Sequence, residues 1–135
     1  MEVHLRVFLT LARSVAKVGD GTFQVNGLGV KEISLGGDEA ILCPVLLITH
    51  EIDDAGTHDG AISLRNDDHK AVDAVSPTGL PQGGAMSMSI EIAPTAGALV
   101  WAAKTGVSGV HPGSYEVVLF LKGQFAASWP IRIRA

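Results

Sequence analysis

The sequence predicts an all-β domain, built as an antiparallel sandwich of two sheets. Apolar residues alternate with polar ones along several segments, and 16 glycines and 6 prolines punctuate the chain at intervals of roughly ten residues. This spacing predicts eight to ten short strands. A sheet with one apolar face is most simply covered by a second sheet. Immunoglobulin-like, jelly-roll and C2-like connections all stay open. With 135 residues we expect one domain over residues 1–135.

The first strand is predicted at the start of the chain, where every odd residue from Val3 to Leu11 is apolar. This period of two buries one face of a strand. The alternative for the following residues is one short helix from Thr10 to Val18, which Thr10 would cap and Gly19 would end.

Further strands are predicted between turn residues, at Thr22–Asn26, Val30–Leu35, Ile41–Ile52, Ala61–Asn66, Ala71–Val75, Met86–Ile92 and Ala98–Lys104. The sequences Gly19-Asp20-Gly21 and Asp59-Gly60 tolerate positive φ and predict tight hairpin turns. Asp67–Val75 is alternatively a single helical turn. Tyr115–Leu121 and Phe125–Ile133 flank Lys122-Gly123 and predict a C-terminal hairpin.

Composition limits the classes of partner. The net charge is −4, only 18% of residues are charged, and no basic cluster is present, which argues against binding to a nucleic-acid backbone. No apolar run approaches the length of a membrane span, so we expect a soluble protein without a membrane partner. The single cysteine, Cys43, excludes an intrachain disulfide and favours a cytoplasmic location.

Three runs are apolar at odd and even positions alike, at Ile41–Ile48, Ala96–Ala103 and Val117–Leu121. One explanation is a central strand covered by a crossing loop, or alanines that cost little when exposed. The other is an interface with a second copy or another protein, because a large exposed apolar patch is unusual on a monomer. The interface candidates are Leu47, Trp101, Val118 and Phe120.

Acids and histidines gather between His50 and Gly60, where oxygen and imidazole ligands for a divalent cation are available. The spacing matches no established metal-binding motif, so we predict no metal site and no cofactor. The residues best suited to bind a metal are nevertheless Asp53, Asp54, His58 and Asp59. No nucleotide-binding loop or nucleophile motif is found, and we expect a non-catalytic protein.

The segment from Gly19 to Val30 and the closing segment from Pro112 to Pro130 resemble a family of small, mainly actinobacterial proteins of unknown function. Thr22 and Val30 depart from that family's pattern, in which Lys and Trp are common. The resemblance implies a β-sandwich and leaves the activity open.

The expected function is therefore a protein-binding or assembly module that acts through apolar sheet faces. The alternative is a sandwich that binds a carbohydrate or a divalent metal, with Trp101 as a stacking platform or with the Asp53–Gly60 loop.

Overall fold

The computed structural model describes residues 5–19, 22–37, 39–66, 85–108 and 110–135. These residues form twelve β-strands and one short 3-10 helix, Ile52–Asp54. The strands are β1 (Arg6–Leu11), β2 (Ser14–Lys17), β3 (Phe23–Asn26), β4 (Glu32–Ser34), β5 (Glu39–Leu42), β6 (Pro44–His50), β7 (Gly56–Asn66), β8 (Ala85–Ile92), β9 (Gly97–Ala102), β10 (Thr105–Ser108), β11 (Gly113–Leu121) and β12 (Gln124–Arg134).

Two sheets form the sandwich. The larger has five strands in the order β4-β12-β11-β7-β8, and the smaller has three in the order β1-β6-β9. A further pair, β5 with β10, carries the pairing of β6 with β9 beyond Cys43, the one residue that separates β5 from β6. The pairs within these sheets are antiparallel except β4 with β12, which is parallel. The predicted antiparallel two-sheet sandwich is confirmed.

The core lies between the inward faces of both sheets, as period-two alternation requires. The smaller sheet contributes Leu9, Leu11, Leu46 and Ile48, and β5 with β10 adds Ala40, Leu42 and Val107. The larger sheet contributes Ile62, Leu64, Ile90, Ile92, Val117, Leu119, Leu121, Ile131 and Ile133. These inward side chains are at most 6% exposed, so the fold buries a continuous aliphatic layer.

The alternative helix from Thr10 to Val18 is wrong. The chain instead leaves β1 and forms a hairpin of β2 and β3, in which Val15 lies opposite Val25 and Lys17 opposite Phe23. Val15, Phe23 and Val25 therefore share one face of a two-stranded ribbon, whereas Val18 is 53% exposed.

The hairpin turn predicted at Asp59-Gly60 is also wrong, because both residues lie within β7. Asp59 pairs with Ser89 and Gly60 with Met88. A Cβ atom on Gly60 would lie 3.0 Å from the Phe120 carbonyl oxygen and 3.0 Å from a methyl group of Leu121. The glycine thus serves close packing against β11 rather than a turn.

The C-terminal hairpin is confirmed, and Lys122 (φ 49°) and Gly123 (φ 78°) form its turn. The strand predicted at Ala71–Val75 and the helical turn at Asp67–Val75 lie outside the described residues. Within the parts of the chain that the structure describes, no helix is long and apolar enough to cross a membrane.

Candidate binding surface

The outward face of the three-stranded sheet carries a row of large apolar side chains. Phe8 pairs with Leu47, and Leu47 pairs with Val100, so the row crosses β1, β6 and β9. Phe8 is 55% exposed, Leu47 45% and Val100 44%. We call these three residues the outer apolar surface. Its side chains point away from the core that the same three strands bury.

The β2–β3 hairpin covers the neighbouring row of this face. Its residues Val15, Phe23 and Val25 pack against a small apolar cluster, which consists of Ala12, Cys43, Val45 and Ala102. This cluster is separate from the main core. The hairpin therefore covers the outward apolar residues Cys43 and Val45, and it leaves the row at Leu47 uncovered.

A groove of about 570 Å³ runs between the hairpin and the outer apolar surface. Its walls are mostly apolar, and they are formed by Phe8, Thr10, Thr22, Phe23, Val25, Leu28, Val45, Leu47 and Val100. Thr10 is only 3% exposed, and its hydroxyl has no hydrogen-bond partner among the described residues. The groove thus combines a hydrophobic lining with one buried hydroxyl, a common make-up for a binding site.

Positive charge borders the groove. Arg6 is the one ionisable residue among the outward positions of β1, β6 and β9. Lys17 lies directly opposite Phe23, so both side chains emerge from the hairpin face that turns toward the sheet. A partner that carries acidic residues beside its apolar ones would complement this arrangement.

Trp129 connects the outer apolar surface to the larger sheet. Its indole Nε1 donates a hydrogen bond to the Val30 carbonyl oxygen at 2.8 Å, and its ring meets that of Phe8 edge to face at a centroid distance of 6.2 Å. Lys31 Nζ lies 5.7 Å from the same ring. Phe8 is therefore held in place from one side, which limits the freedom lost when a partner binds.

The four predicted interface residues are distributed over both sheets. Leu47 lies in the outer apolar surface. Trp101 is half-buried and packs against the main core, and Val118 is buried, so neither belongs to an exposed apolar face. Phe120 is half-buried on the outward side of β11, with the Arg65 guanidinium 5.1 Å above its ring.

Two residues of the surface were not predicted, namely Phe8 and Val100. The sequence does contain a signal for Phe8, because it is an apolar residue at an even position in a strand whose odd positions already supply the core. Val100 lay within a run that was recognised as apolar on both faces, where parity alone does not reveal the outward residues.

The residues proposed as possible metal ligands do not converge. Asp59 lies on β7 next to His58, and adjacent strand residues point to opposite faces. The Asp54 carboxylate accepts a hydrogen bond from the Glu51 N–H at 2.7 Å, and His58 Nε2 lies 2.6 Å from the Asp54 carbonyl oxygen. Asp53 is exposed. Among the described residues, no group of three or more His, Cys, Asp or Glu is arranged to hold a metal ion.

A second, wider groove of about 1120 Å³ follows residues 27–36. Arg13, Lys31, Glu32 and Glu39 line it together, so charges of both signs alternate with apolar side chains. This mixed lining selects no single ligand chemistry.

Cys43 lies beneath the β2–β3 hairpin and is only 4% exposed. Burial raises the pKa of its thiol above the ordinary value, although the nearby Lys104 charge and a backbone hydrogen bond at Val15 oppose the shift. The native thiol therefore stays protonated at a pH where the unfolded chain has begun to ionise. The stability that this contributes is fully present below the unfolded pKa and is lost as pH rises through the native one.

We expect native Cys43 to react with N-ethylmaleimide at neutral pH about tenfold or more slowly than an exposed cysteine, because the thiolate is the reactive form and the hairpin blocks access. Mass spectrometry of a labelling time course measures this rate. The variant Ser14→Cys, at an exposed hairpin position, supplies the control within the same molecule. Equal rates at the two cysteines would show that the hairpin does not cover Cys43.

Comparison with known proteins identifies the fold and no family. No family model matches the sequence, and no curated protein matches it significantly. The resemblance to an actinobacterial family therefore stays a prediction.

Several solved structures are similar in fold. An immunoglobulin-like protein from Pseudomonas aeruginosa has a TM-score of 0.52 at 12% identity, over 97% of each chain. A DNA-bound alkylpurine DNA glycosylase from Pseudomonas fluorescens has a TM-score of 0.53 at 12% identity, and a β-glucosidase from Listeria innocua has 0.55 at 12%. The match covers 98% of this chain in both, but it spans only 31% of the glycosylase and 16% of the glucosidase. The immunoglobulin-like neighbour fits the all-β sandwich fold.

Proposed function

We propose that this protein is a non-catalytic protein-binding module and that its partner binds the outer apolar surface. The observation that carries the proposal is the row of Phe8, Leu47 and Val100, which crosses three adjacent strands and is about half exposed. The core lies on the other face of these strands, so burial in the core does not account for the apolar side chains of the row. Contiguous apolar side chains on a surface are typical of interaction sites.

The surroundings of the row support a protein partner. Interfaces combine an apolar centre with a polar rim, and here Arg6, Lys17 and Thr49 border the apolar side chains. The adjoining groove offers a place for one or two anchor side chains, which commonly dominate the binding energy of an interface. Acidic residues on the partner would pair with the two cations at the rim.

We also propose a cytoplasmic location. Cys43 is free and buried, and a small domain without a disulfide is typical of a reducing compartment.

The substitution Leu47→Lys tests the binding surface, because it places a charge in the middle of the row without touching the core. We expect this variant to capture at least about tenfold less partner protein from a lysate of the source cells than the native chain does. The reason is that a buried unpaired charge costs several kcal/mol of binding free energy. Quantitative mass spectrometry of the captured proteins gives the comparison.

Phe125→Lys is the matched control, because Phe125 is 63% exposed on the other sheet. Circular dichroism establishes that both variants fold. The proposal predicts that Phe125→Lys keeps every partner that Leu47→Lys loses. If both variants capture the same proteins as the native chain, the outer apolar surface is not a binding site.

A further inference from the structure

Strand β9 forms one edge of the three-stranded sheet, and within the described residues no strand pairs with its outer side. Residues 93–103 contain no ionisable side chain. Strand β9 itself, with the sequence GALVWA, also lacks proline. Natural sheets usually protect such an edge with a charge, a proline or a bulge. Strand β8, one of the two edge strands of the larger sheet, does so, since it carries Glu91.

The hydrogen-bonding direction of β9 follows from one bond beyond its end. The Ala103 N–H donates to the Pro44 carbonyl oxygen at 3.2 Å, which makes the opposed residues Val45 and Ala102 a non-hydrogen-bonded pair. Leu99 and Trp101 then exchange their backbone hydrogen bonds with β6. The N–H and C=O groups of the alternate residues, Ala98, Val100 and Ala102, point to the outer edge. The edge is free at Ala98 and Val100, whereas the β2–β3 hairpin covers Ala102.

From this geometry we infer that a second copy of the chain pairs with β9, edge to edge and antiparallel, so that two three-stranded sheets become one six-stranded sheet. The inference goes beyond the proposed function, because it concerns the strand edge and does not depend on what binds the outer apolar surface. A two-fold axis at Leu99 places Ala98 of one copy opposite Val100 of the other, so that only exposed residues exchange backbone hydrogen bonds.

The side chains at this edge are compatible with such pairing. On the outward face alanine would lie opposite valine, and on the inward face Leu99 would lie opposite Leu99 of the other copy, so no like charge opposes the approach. Ala98 and Val100 are exposed, which leaves their backbone groups accessible. An isologous contact of this kind closes at two copies and forms no filament. It would also bring the two outer apolar surfaces onto the same side of one sheet.

Sedimentation equilibrium of the full chain and its variants tests the dimer. We expect twice the chain mass of 14.1 kDa for the native protein, and the single mass for Ala98→Pro, which removes an edge-facing N–H without breaking the β6 ladder. Ala98→Ser keeps that N–H and should stay dimeric. Leu47→Lys lies on the face, not the edge, and should also stay dimeric, so failure of this inference and failure of the proposed function give different results.

A native protein that stays monomeric at high concentration overturns the inference, and so does a dimer that persists in Ala98→Pro. Amide exchange of the native chain decides the question if Ala98→Pro does not fold. The Ala98 and Val100 amides should exchange slowly in the dimer and quickly on dilution, whereas the Leu99 and Trp101 amides stay slow throughout. Fast exchange of Ala98 and Val100 at every concentration contradicts edge pairing.

Discussion

Replacing Leu46 by Ala is expected to lower the free energy of unfolding by about 3 kcal/mol, whereas the same change at the next residue, Leu47, should cost less than about 1 kcal/mol. Leu46 is 0% exposed between the two sheets, and Leu47 points outward from the same strand. The truncation leaves a cavity at the first position and only exposed surface at the second. Urea denaturation monitored by circular dichroism measures both values.

The two leucines form a matched pair, because they share a strand, a residue type and a substitution. Their difference therefore reports the direction of the side chain and little else. A loss at Leu47 as large as that at Leu46 would mean that the outer apolar surface is buried in solution, either by this chain or by a partner already bound. The measurement repeated over a range of protein concentrations separates these two causes, since only binding depends on concentration.

Replacing Trp129 by Ala should cost about 3 kcal/mol, and replacing it by Phe about 1 to 2 kcal/mol. The indole packs against the core and donates a hydrogen bond to the Val30 carbonyl oxygen, which holds the segment leading into β4 against β12. Phenylalanine keeps most of the packing and loses the hydrogen bond. Denaturation curves of the two variants thus divide the contribution of the side chain.

Amide exchange shows whether the Trp129 hydrogen bond secures β4. The Leu35 N–H donates to the Arg134 carbonyl oxygen, so its exchange reports the pairing of β4 with β12. In Trp129→Phe we expect this amide to exchange faster while those in the middle of β7 keep their rates. Uniform acceleration across the sheet would indicate a global loss of stability in place of a local one.

Alternation predicted the fold because it follows from burial alone. In β1, β8, β11 and β12 apolar residues recur at every second position, and these strands bury the face that the sequence indicates, except at Phe125, which is 63% exposed. The turn predicted at Asp59 and Gly60 was wrong because it was based on local residue preferences. Both residue types favour turns locally, but contacts with Phe120 and Leu121 on β11, some 60 residues away, hold Gly60 inside a strand.

The outer apolar surface was only partly predictable from the sequence, for a related reason. Leu47 and Val118 both lie in runs that are apolar on both faces, yet Leu47 is 45% exposed and Val118 is buried. What distinguishes them is coverage by other parts of the chain, as at Val45, where the β2–β3 hairpin lies on the sheet. Coverage depends on tertiary placement, and no local pattern in the sequence encodes it.

The parallel pairing of β4 with β12 joins Glu32 to Arg132 and Ser34 to Arg134, residues that are 100 positions apart in the chain. Contacts between such distant residues close the longest loops and are therefore slow to form. During synthesis, β4 leaves the ribosome well before β12. Until β12 is available, the backbone groups of β4 that pair with it have no partner strand. We therefore expect this edge of the sheet to be completed last, because a chain truncated before residue 124 lacks the strand that pairs with β4.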